Sequence, residues 1–265
     1  MTTNTIHTPF EQLPDALRAP LAPVWADLHA QLQSELNDKF SVIEDTLAGV
    51  LACSEFVTQL CQRQPHFLEE LVTSGDLNRV YATNDLAASL ASRIEAVTDE
   101  ASLQSALRQF RQREMLRIIW RDLAGWAELR ETLRDLSALA DSCVQQALVR
   151  LYQWQCTAFG TPANAQGEPQ QLVVIAMGKL GAHELNLSSD IDLIFTFPEE
   201  GETRDGPRTL SNSEFFQKLG QKLITALSKQ TPDGFVFRVD MRLRPFGDSG
   251  PLVCTFAAME DYYQI

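Results

Sequence analysis

Residues 188–197 read SSDIDLIFTF, and this stretch decides how the second half of the chain folds. Its apolar residues run from Ile191 to Phe197, which predicts a β-strand. Because side chains alternate along a strand, Asp190 and Asp192 project side by side from one face. A strand that is otherwise apolar therefore begins with two neighbouring carboxylates.

Further strand and helix signals surround this stretch. The apolar run Leu172–Met177 ends at Gly178 and predicts a buried strand. A capping box at Ser211–Glu214 predicts the start of a helix. Residues 235–244 alternate between apolar and polar side chains, which predicts another strand. The polar face of that strand carries Arg238, Asp240, Arg242 and Arg244.

Pairing of the two polar strand faces would bring Asp190, Asp192 and Asp240 together. Acidic oxygens without Cys or His ligands suit a hard cation, and magnesium normally takes one or two carboxylates plus substrate phosphate oxygens. Arg242 and Arg244 would supply bidentate donors for phosphate, or would instead neutralise the carboxylates. The sequence therefore predicts a magnesium site for phosphoryl or nucleotidyl transfer.

The loop after the first strand contains Gly178 and Lys179. Glycine lets backbone N–H groups approach a phosphate closely, and the lysine would either contact phosphate or stay in solvent. Neither a Walker A motif nor a dinucleotide fingerprint fits, because the glycine spacing differs and Leu180 stands where a Ser or Thr would meet magnesium. By itself the loop is a weak phosphate-binding signal.

The first part of the chain shows helical periodicity. From Leu129 onwards, apolar residues recur at steps of three and four until Gly160 ends the pattern. Upstream, Arg113, Arg117 and Arg121 are spaced by four, which is typical of a solvated helix face, with a partner surface as the alternative.

These patterns predict an α+β protein. We expect an amino-terminal helical domain over residues 1–162 and a mixed-sheet catalytic domain over residues 163–265. The short polar segment Ala163–Gln170 is interpreted as the linker between them.

Composition narrows the classes of partner. The chain has 265 residues, of which 22 are Lys or Arg and 35 are Asp or Glu, and its net charge of −13 repels a nucleic-acid backbone. Its five cysteines form no C-x-x-C pair, which indicates a reducing compartment. Residues 1–10 lack the apolar core of a signal peptide, and the longest apolar stretch is too short to span a bilayer. We expect a cytoplasmic protein that binds neither nucleic acid nor membrane.

The motifs resemble the nucleotidyltransferase superfamily associated with DNA polymerase beta. Within it, they are similar to the glutamine synthetase adenylyltransferase/adenylyl-removing enzyme family. The similar blocks are Met177–Gly181, Glu184–Asn186, Ser188–Phe195 and Arg238–Gly247. The resemblance implies a polymerase-beta-like catalytic domain behind a helical one. It also implies nucleotide or phosphate contacts by Gly178, Lys179, Ser188, Ser189, Arg242 and Arg244, with Asp190, Asp192 and Asp240 as catalytic metal ligands.

Members of this family carry two such catalytic domains. The amino-terminal one uses inorganic phosphate to remove AMP from a tyrosine of glutamine synthetase and releases ADP, and the carboxy-terminal one attaches AMP from ATP. Because a helical segment precedes the motifs here, the resemblance favours the removing domain. It implies Mg2+ as cofactor, adenylylated glutamine synthetase as protein substrate, and a PII-type signal protein acting through other regions. The chain stops at Ile265 where the family continues, which predicts a catalytic domain truncated at its carboxy-terminal end.

Two alternative functions stay open at this point. The same metal geometry would serve adenylyl transfer from ATP to a protein tyrosine. A truncated catalytic domain would alternatively be inactive and act as a binding module.

Overall fold

A computed structural model describes residues 9–264 of the chain. Residues 1–8, on which most of the signal-peptide expectation rests, lie outside the described residues, as does Ile265. Within the part that is described, no helix is long and apolar enough to cross a membrane.

The chain divides into two compact units. The helical unit comprises Met1–Thr83 and Phe110–Leu136, and the sheet unit comprises Asn84–Gln109 and Ser137–Ile265. Residues 84–109 and 137–162 are therefore grouped with the sheet, whereas the sequence places them with the helices. The division into domains 1–162 and 163–265 stays a prediction.

Most of residues 15–159 lie in helices, as the periodicity of this part of the chain predicts. Ser54 caps a helix by accepting the N–H of Val57 at 3.3 Å, and Gly75 ends the next helix with a left-handed φ of 80°. The longest helix stops at Phe159, directly before the predicted stop at Gly160. The helices are α1 (Asp15–Leu36), α2 (Glu44–Cys53), α3 (Glu55–Arg63), α4 (His66–Ser74), α5 (Asp85–Arg93), α6 (Glu100–Leu123) and α7 (Leu129–Phe159).

The prediction of a solvated arginine face on α6 is wrong. Arg113, Arg117 and Arg121 are all buried in the helical unit. Arg117 donates to Glu114 at 2.9 Å and to Asp135 at 2.6 Å, and its guanidinium lies 3.6 Å from the centre of the Tyr81 ring. The other carboxylate partners are Glu70, Asp76 and Glu131. Buried charges persist only when they are paired and hydrogen-bonded, and these arginines meet that condition.

The rest of the sheet unit alternates short strands with helices, so the α+β class is confirmed. Its elements are β1 (Thr161–Ala163), β2 (Val173–Ala176), α8 (Gly178–Gly181), β3 (Ile191–Phe197), β4 (Glu202–Arg204), α9 (Asn212–Ser228), β5 (Val239–Asp240), β6 (Val253–Thr255) and α10 (Phe256–Tyr263). The likeness of this fold to DNA polymerase beta stays a prediction.

Strand β3 is the centre of the larger sheet, and its bounds match the predicted strand. It pairs antiparallel with β2 on one edge and parallel with β5 and β6 on the other, which confirms a mixed sheet. All of its residues are buried except Asp192. Asp192 is therefore the one side chain of β3 that is partly open to solvent.

Helix α9 packs on the face of β3 that carries Phe195 and Phe197. The ring of Phe197 lies 4.8 Å from that of Phe216. Gly220 allows the close approach, since a Cβ there would lie 2.9 Å from the Phe195 ring. The predicted cap at Ser211 is confirmed, because its side chain accepts the N–H of Glu214 at 3.1 Å.

The predicted strand over residues 235–244 is wrong in length, since only Val239–Asp240 pair as a strand. Upstream, the N–H groups of Val236 and Phe237 both donate to the carbonyl of Leu227, at 2.9 and 3.0 Å. Downstream, the chain turns because the N–H of Arg242 donates to the Asp240 side chain at 2.8 Å. These local bonds replace the strand ladder, and Leu243 is exposed as a result.

The interpretation of residues 163–170 as a plain linker is also corrected. The N–H of Asn164 donates to the carbonyl of Glu168 at 3.0 Å, and the side-chain oxygen of Asn164 accepts the N–H of Glu168 at 2.8 Å. The segment is thus a closed turn that starts in β1, which pairs with β4. Asn164 is the residue that organises it.

Candidate active site

The candidate site lies where β3 and β5 begin to pair. Asp192 and Asp240 are direct partners in the parallel register of these strands. Asp190 stands two residues before Asp192, and the N–H of Ile191 donates to the carbonyl of Arg238 at 2.9 Å, which fixes the entry to the pair. The sequence-based expectation that three carboxylates meet here rested on the pairing of these two strands, and the two strands do pair. The convergence of all three carboxylates stays a prediction.

The carboxylates affect one another electrostatically. Burial raises the pKa of Asp192 above its ordinary value, and the negative charges of Asp190 and Asp240 raise it further, while the charge of Arg242 opposes them. The pKa of Asp240 is lowered, because the side chain and the backbone N–H of Arg242 donate hydrogen bonds to it. The negative charge of Asp192 is therefore less compensated by the protein than that of Asp240.

Gly178 brings the loop after β2 against Asp192. Its φ is +55°, and a Cβ at this position would lie 2.7 Å from Oδ2 of Asp192. The N–H of the preceding residue, Met177, donates to the backbone carbonyl of Asp192 at 2.9 Å. Only glycine fits such an approach without strain. A phosphate contact by this loop stays a prediction.

Lys179 and Ser189 lie together on the same side of the site. The ammonium Nζ of Lys179 is 3.5 Å from Oγ of Ser189, which in turn donates to the side-chain oxygen of Asn186 at 2.6 Å. Ser188 contributes differently, since its carbonyl accepts a hydrogen bond from the guanidinium of Arg238. Sequence reasoning did not assign roles to Asn186 or Arg238, although both stand inside the motif blocks.

Arg242 and Arg244 have different environments. The exposed guanidinium of Arg242 grips the carboxylate of Asp240, with Nε 3.0 Å from Oδ1 and 2.8 Å from Oδ2. Arg244 turns back on its own loop, where it donates to the carbonyl of Met241 at 2.7 Å and lies 3.6 Å from Asp248. Of the two predicted phosphate-binding arginines, the structure brings only Arg242 into contact with the carboxylates.

The candidate ligands are carboxylate oxygens, which are the type of ligand that magnesium prefers. Asp192 and Asp240 are register partners, and magnesium normally takes one or two carboxylates and completes its shell with water and substrate oxygens. As the side chains stand, no three His, Cys, Asp or Glu in residues 9–264 converge closely enough to hold a metal. The carboxylate of Asp240 is engaged by Arg242 instead.

A family profile and individual relatives both connect the sequence to the same group of adenylyltransferases. A sequence profile described as glutamate-ammonia ligase adenylyltransferase (GlnE) matches residues 44–265 of the chain. This range includes most of the helical unit and every candidate site residue.

Relatives named bifunctional glutamine synthetase adenylyltransferase/adenylyl-removing enzyme align with most of the chain. One from Nitrosococcus oceani is 56% identical over 220 residues, which cover 83% of this chain and 23% of the relative. One from Pseudomonas aeruginosa is 52% identical over 255 residues, which cover 96% of this chain and 26% of the relative. The chain thus spans about a quarter of the length of the curated relatives that it matches.

Proposed function

The chain belongs to the glutamate-ammonia ligase adenylyltransferase family, and from this premise we propose that its sheet unit carries an adenylyl-removing site. In the proposed reaction, inorganic phosphate attacks the phosphorus of AMP that is linked to a tyrosine of glutamine synthetase. A new P–O–P bond forms as the P–O bond to tyrosine breaks. ADP leaves, and the tyrosine oxygen takes up a proton.

The observation that carries this proposal is the juxtaposition of Asp192 and Asp240 across β3 and β5. A magnesium ion bound there would neutralise charge on the phosphorus oxygens during an in-line displacement. Asp192 and Asp240 would hold that ion, with Asp190 adding negative charge beside them. All three are oxygen donors, which are the ligands that magnesium prefers.

The remaining site residues would bind and orient the anions. Lys179 and Ser189 would hold phosphate groups at the mouth of the loop, and Gly178 would keep that loop free of a side chain at Asp192. Arg242 offers a fork of N–H donors that matches two phosphate oxygens. Because the attacking phosphate is already ionised at neutral pH, this chemistry does not require a strong general base.

The test is ADP release by the full chain mixed with adenylylated glutamine synthetase, magnesium and phosphate. We expect phosphate-dependent ADP from the wild type and a loss of about 100-fold or more in Asp192→Asn, since the amide cannot neutralise a cation. Asp205→Asn is the matched control, because it removes an exposed carboxylate from the loop after β4. Equal ADP release by Asp192→Asn and wild type would overturn the site assignment.

The alternative functions have their own readouts in the same assay. The names of the relatives cover both attachment and removal of AMP. Transfer of label from ATP to unmodified glutamine synthetase, without ADP release, would favour adenylyl transfer. Binding of glutamine synthetase without turnover in either direction would favour a binding module.

A further inference from the structure

We infer that the guanidinium of Arg242 is an exchangeable counterion of Asp240, which leaves this carboxylate when a divalent cation binds and then faces the phosphate groups of the substrate. The first half of this inference concerns the protein and its cation alone. The second half rests on the proposed function.

The contacts of Arg242 occupy both oxygens of Asp240. Nε lies 3.0 Å from Oδ1 and 2.8 Å from Oδ2, and a terminal guanidinium nitrogen also donates to Oδ2. A cation that ligates Asp240 needs at least one of these lone-pair positions. The guanidinium and the cation therefore compete for the same carboxylate.

The two partners differ strongly in exposure. The side chain of Asp240 is 12% exposed, whereas that of Arg242 is 74% exposed. Departure of the guanidinium therefore requires only rotation of a solvated side chain, without any opening of the core. Arg244, whose side chain is 13% exposed, has no such freedom.

The backbone of residue 242 would keep Asp240 in place during the exchange. The N–H of Arg242 donates to Oδ1 at 2.8 Å, independently of the guanidinium. Once the side chain leaves, Oδ1 remains held while Oδ2 becomes free. Asp240 would then present a preoriented oxygen toward Asp192, its partner in the strand register.

Charge makes the exchange favourable only when a cation is present. With Arg242 withdrawn, Asp192 would stand beside Asp240, and near the charge of Asp190, without the guanidinium that donates hydrogen bonds to Asp240. A divalent cation replaces that positive charge and adds a second. Because the bound state must first break the ion pair, the apparent affinity for the cation is lower than that of the bare carboxylates.

The experiment measures Mn2+ binding to the full chain by titration calorimetry, without any substrate. We expect Arg242→Ala to bind Mn2+ about three- to tenfold more tightly than the wild type, since no ion pair has to be broken. Arg242→Lys, which keeps the charge but not the fork, should fall between them. Thermal melting in EDTA checks that each variant is folded.

Arg208→Ala is the matched control. Its side chain is 66% exposed in the same unit and lies 3.6 Å from Glu214, so its loss changes the net charge equally without touching the candidate site. We expect its Mn2+ affinity to stay within about twofold of wild type. Equal or weaker binding by Arg242→Ala, or no Mn2+ binding by any variant, would overturn the exchange.

Activity then tests the second half separately. If the freed guanidinium faces substrate phosphate, Arg242→Ala should lose at least about tenfold in kcat/KM for phosphate although it binds metal more tightly. A purely structural role for Arg242 would lower both quantities. Failure of the wild type to release ADP would reject the proposed function and this second half, while the calorimetric result would stand on its own.

Discussion

Gly178 lies so close to Asp192 that a side chain at residue 178 would collide with the Asp192 carboxylate. A Cβ on residue 178 would come within 2.7 Å of the carboxylate oxygen Oδ2, and the residue has a left-handed φ of +55°. Two separable costs therefore oppose any other residue at this position. One is the backbone conformation, and the other is the contact with Asp192.

We expect Gly178→Ala to lower both stability and ADP release. The left-handed backbone alone should cost about 1–2 kcal/mol, measured by urea unfolding. Gly234→Ala is the control, because Gly234 has a φ of +81° but nothing within 4 Å of its would-be Cβ. Activity should be lost in Gly178→Ala and kept in Gly234→Ala. Equal activity of the two variants would show that the approach to Asp192 is unimportant.

Asp192→Asn should be more stable than the wild type at neutral pH and in EDTA. Burial and two neighbouring carboxylates disfavour the ionised form of Asp192, as its raised pKa indicates. An amide removes that unfavourable charge without changing the side-chain shape. Differential scanning calorimetry checks this, with Asp205→Asn as the control. A lower melting temperature for Asp192→Asn would contradict the electrostatic description of the site.

The stability contributed by Asp141 should depend on pH. Asp141 of α7 lies at a groove of about 370 Å³ on the face of the sheet opposite Asp192. Burial raises the pKa of this carboxyl, and the charge of His183, 3.9 Å away, opposes the shift. A raised pKa in the folded state means that ionisation destabilises the fold at neutral pH, and that this penalty disappears as the pH falls through the folded and then the ordinary value.

Asp141→Asn should therefore unfold at a higher urea concentration than the wild type at pH 7. The advantage should shrink as the pH is lowered and vanish below about pH 4, where the wild-type carboxyl is also neutral. Asp205→Asn, which removes an exposed carboxylate, is measured alongside to correct for the general change in net charge. An advantage that grows toward low pH would reverse the assigned sign.

Removing a carboxylate partner of the buried arginines of α6 should strongly lower the free energy of unfolding of the helical unit. Asp135 is the buried partner of Arg117, at 2.6 Å, and it also meets Arg134, whose side chain is half exposed. Asp135→Ala should cost about 3 kcal/mol, the lower end for breaking a buried ion pair, because Glu114 still pairs with the buried guanidinium of Arg117. Arg134→Ala removes the exposed member of the same group and should cost about 0–1 kcal/mol. Similar losses in the two variants would show that burial does not govern these pairs.

Local patterns in the sequence predicted the elements whose determinants are local. The bounds of β3 and the end of α7 before Gly160 follow from apolar runs and from a terminating glycine. The end of β5 does not follow from such patterns, because it depends on a hydrogen bond that the backbone N–H of Arg242 donates to the side chain of Asp240. An alternating sequence contains no sign of that bond.

The burial of the α6 arginines could not be predicted from local patterns, because it depends on residues from other parts of the chain. Spacing by four shows that Arg113 and Arg117 share a helix face, but not what packs against that face. Their partners Glu70, Asp76 and Asp135 lie far away in the sequence. At the site, the neighbouring positions of Asp192 and Asp240 follow from the pairing of the two predicted strands, whereas the contact of Arg242 with Asp240 depends on the turn after β5.

The sheet unit is assembled from two separate stretches of chain, so the candidate site residues and the helices that support them are encoded in different segments. Helix α7 contributes Gln155, whose side chain donates to the carbonyl of Phe215 at 2.6 Å, and α6 contributes Arg108, which donates to the carbonyl of Gly234 at 2.9 Å. A gene segment that encodes only residues 163–265 would carry all the candidate site residues but neither of these supports. We therefore expect a transplanted site to fold correctly only when the transferred segment also includes these upstream helices.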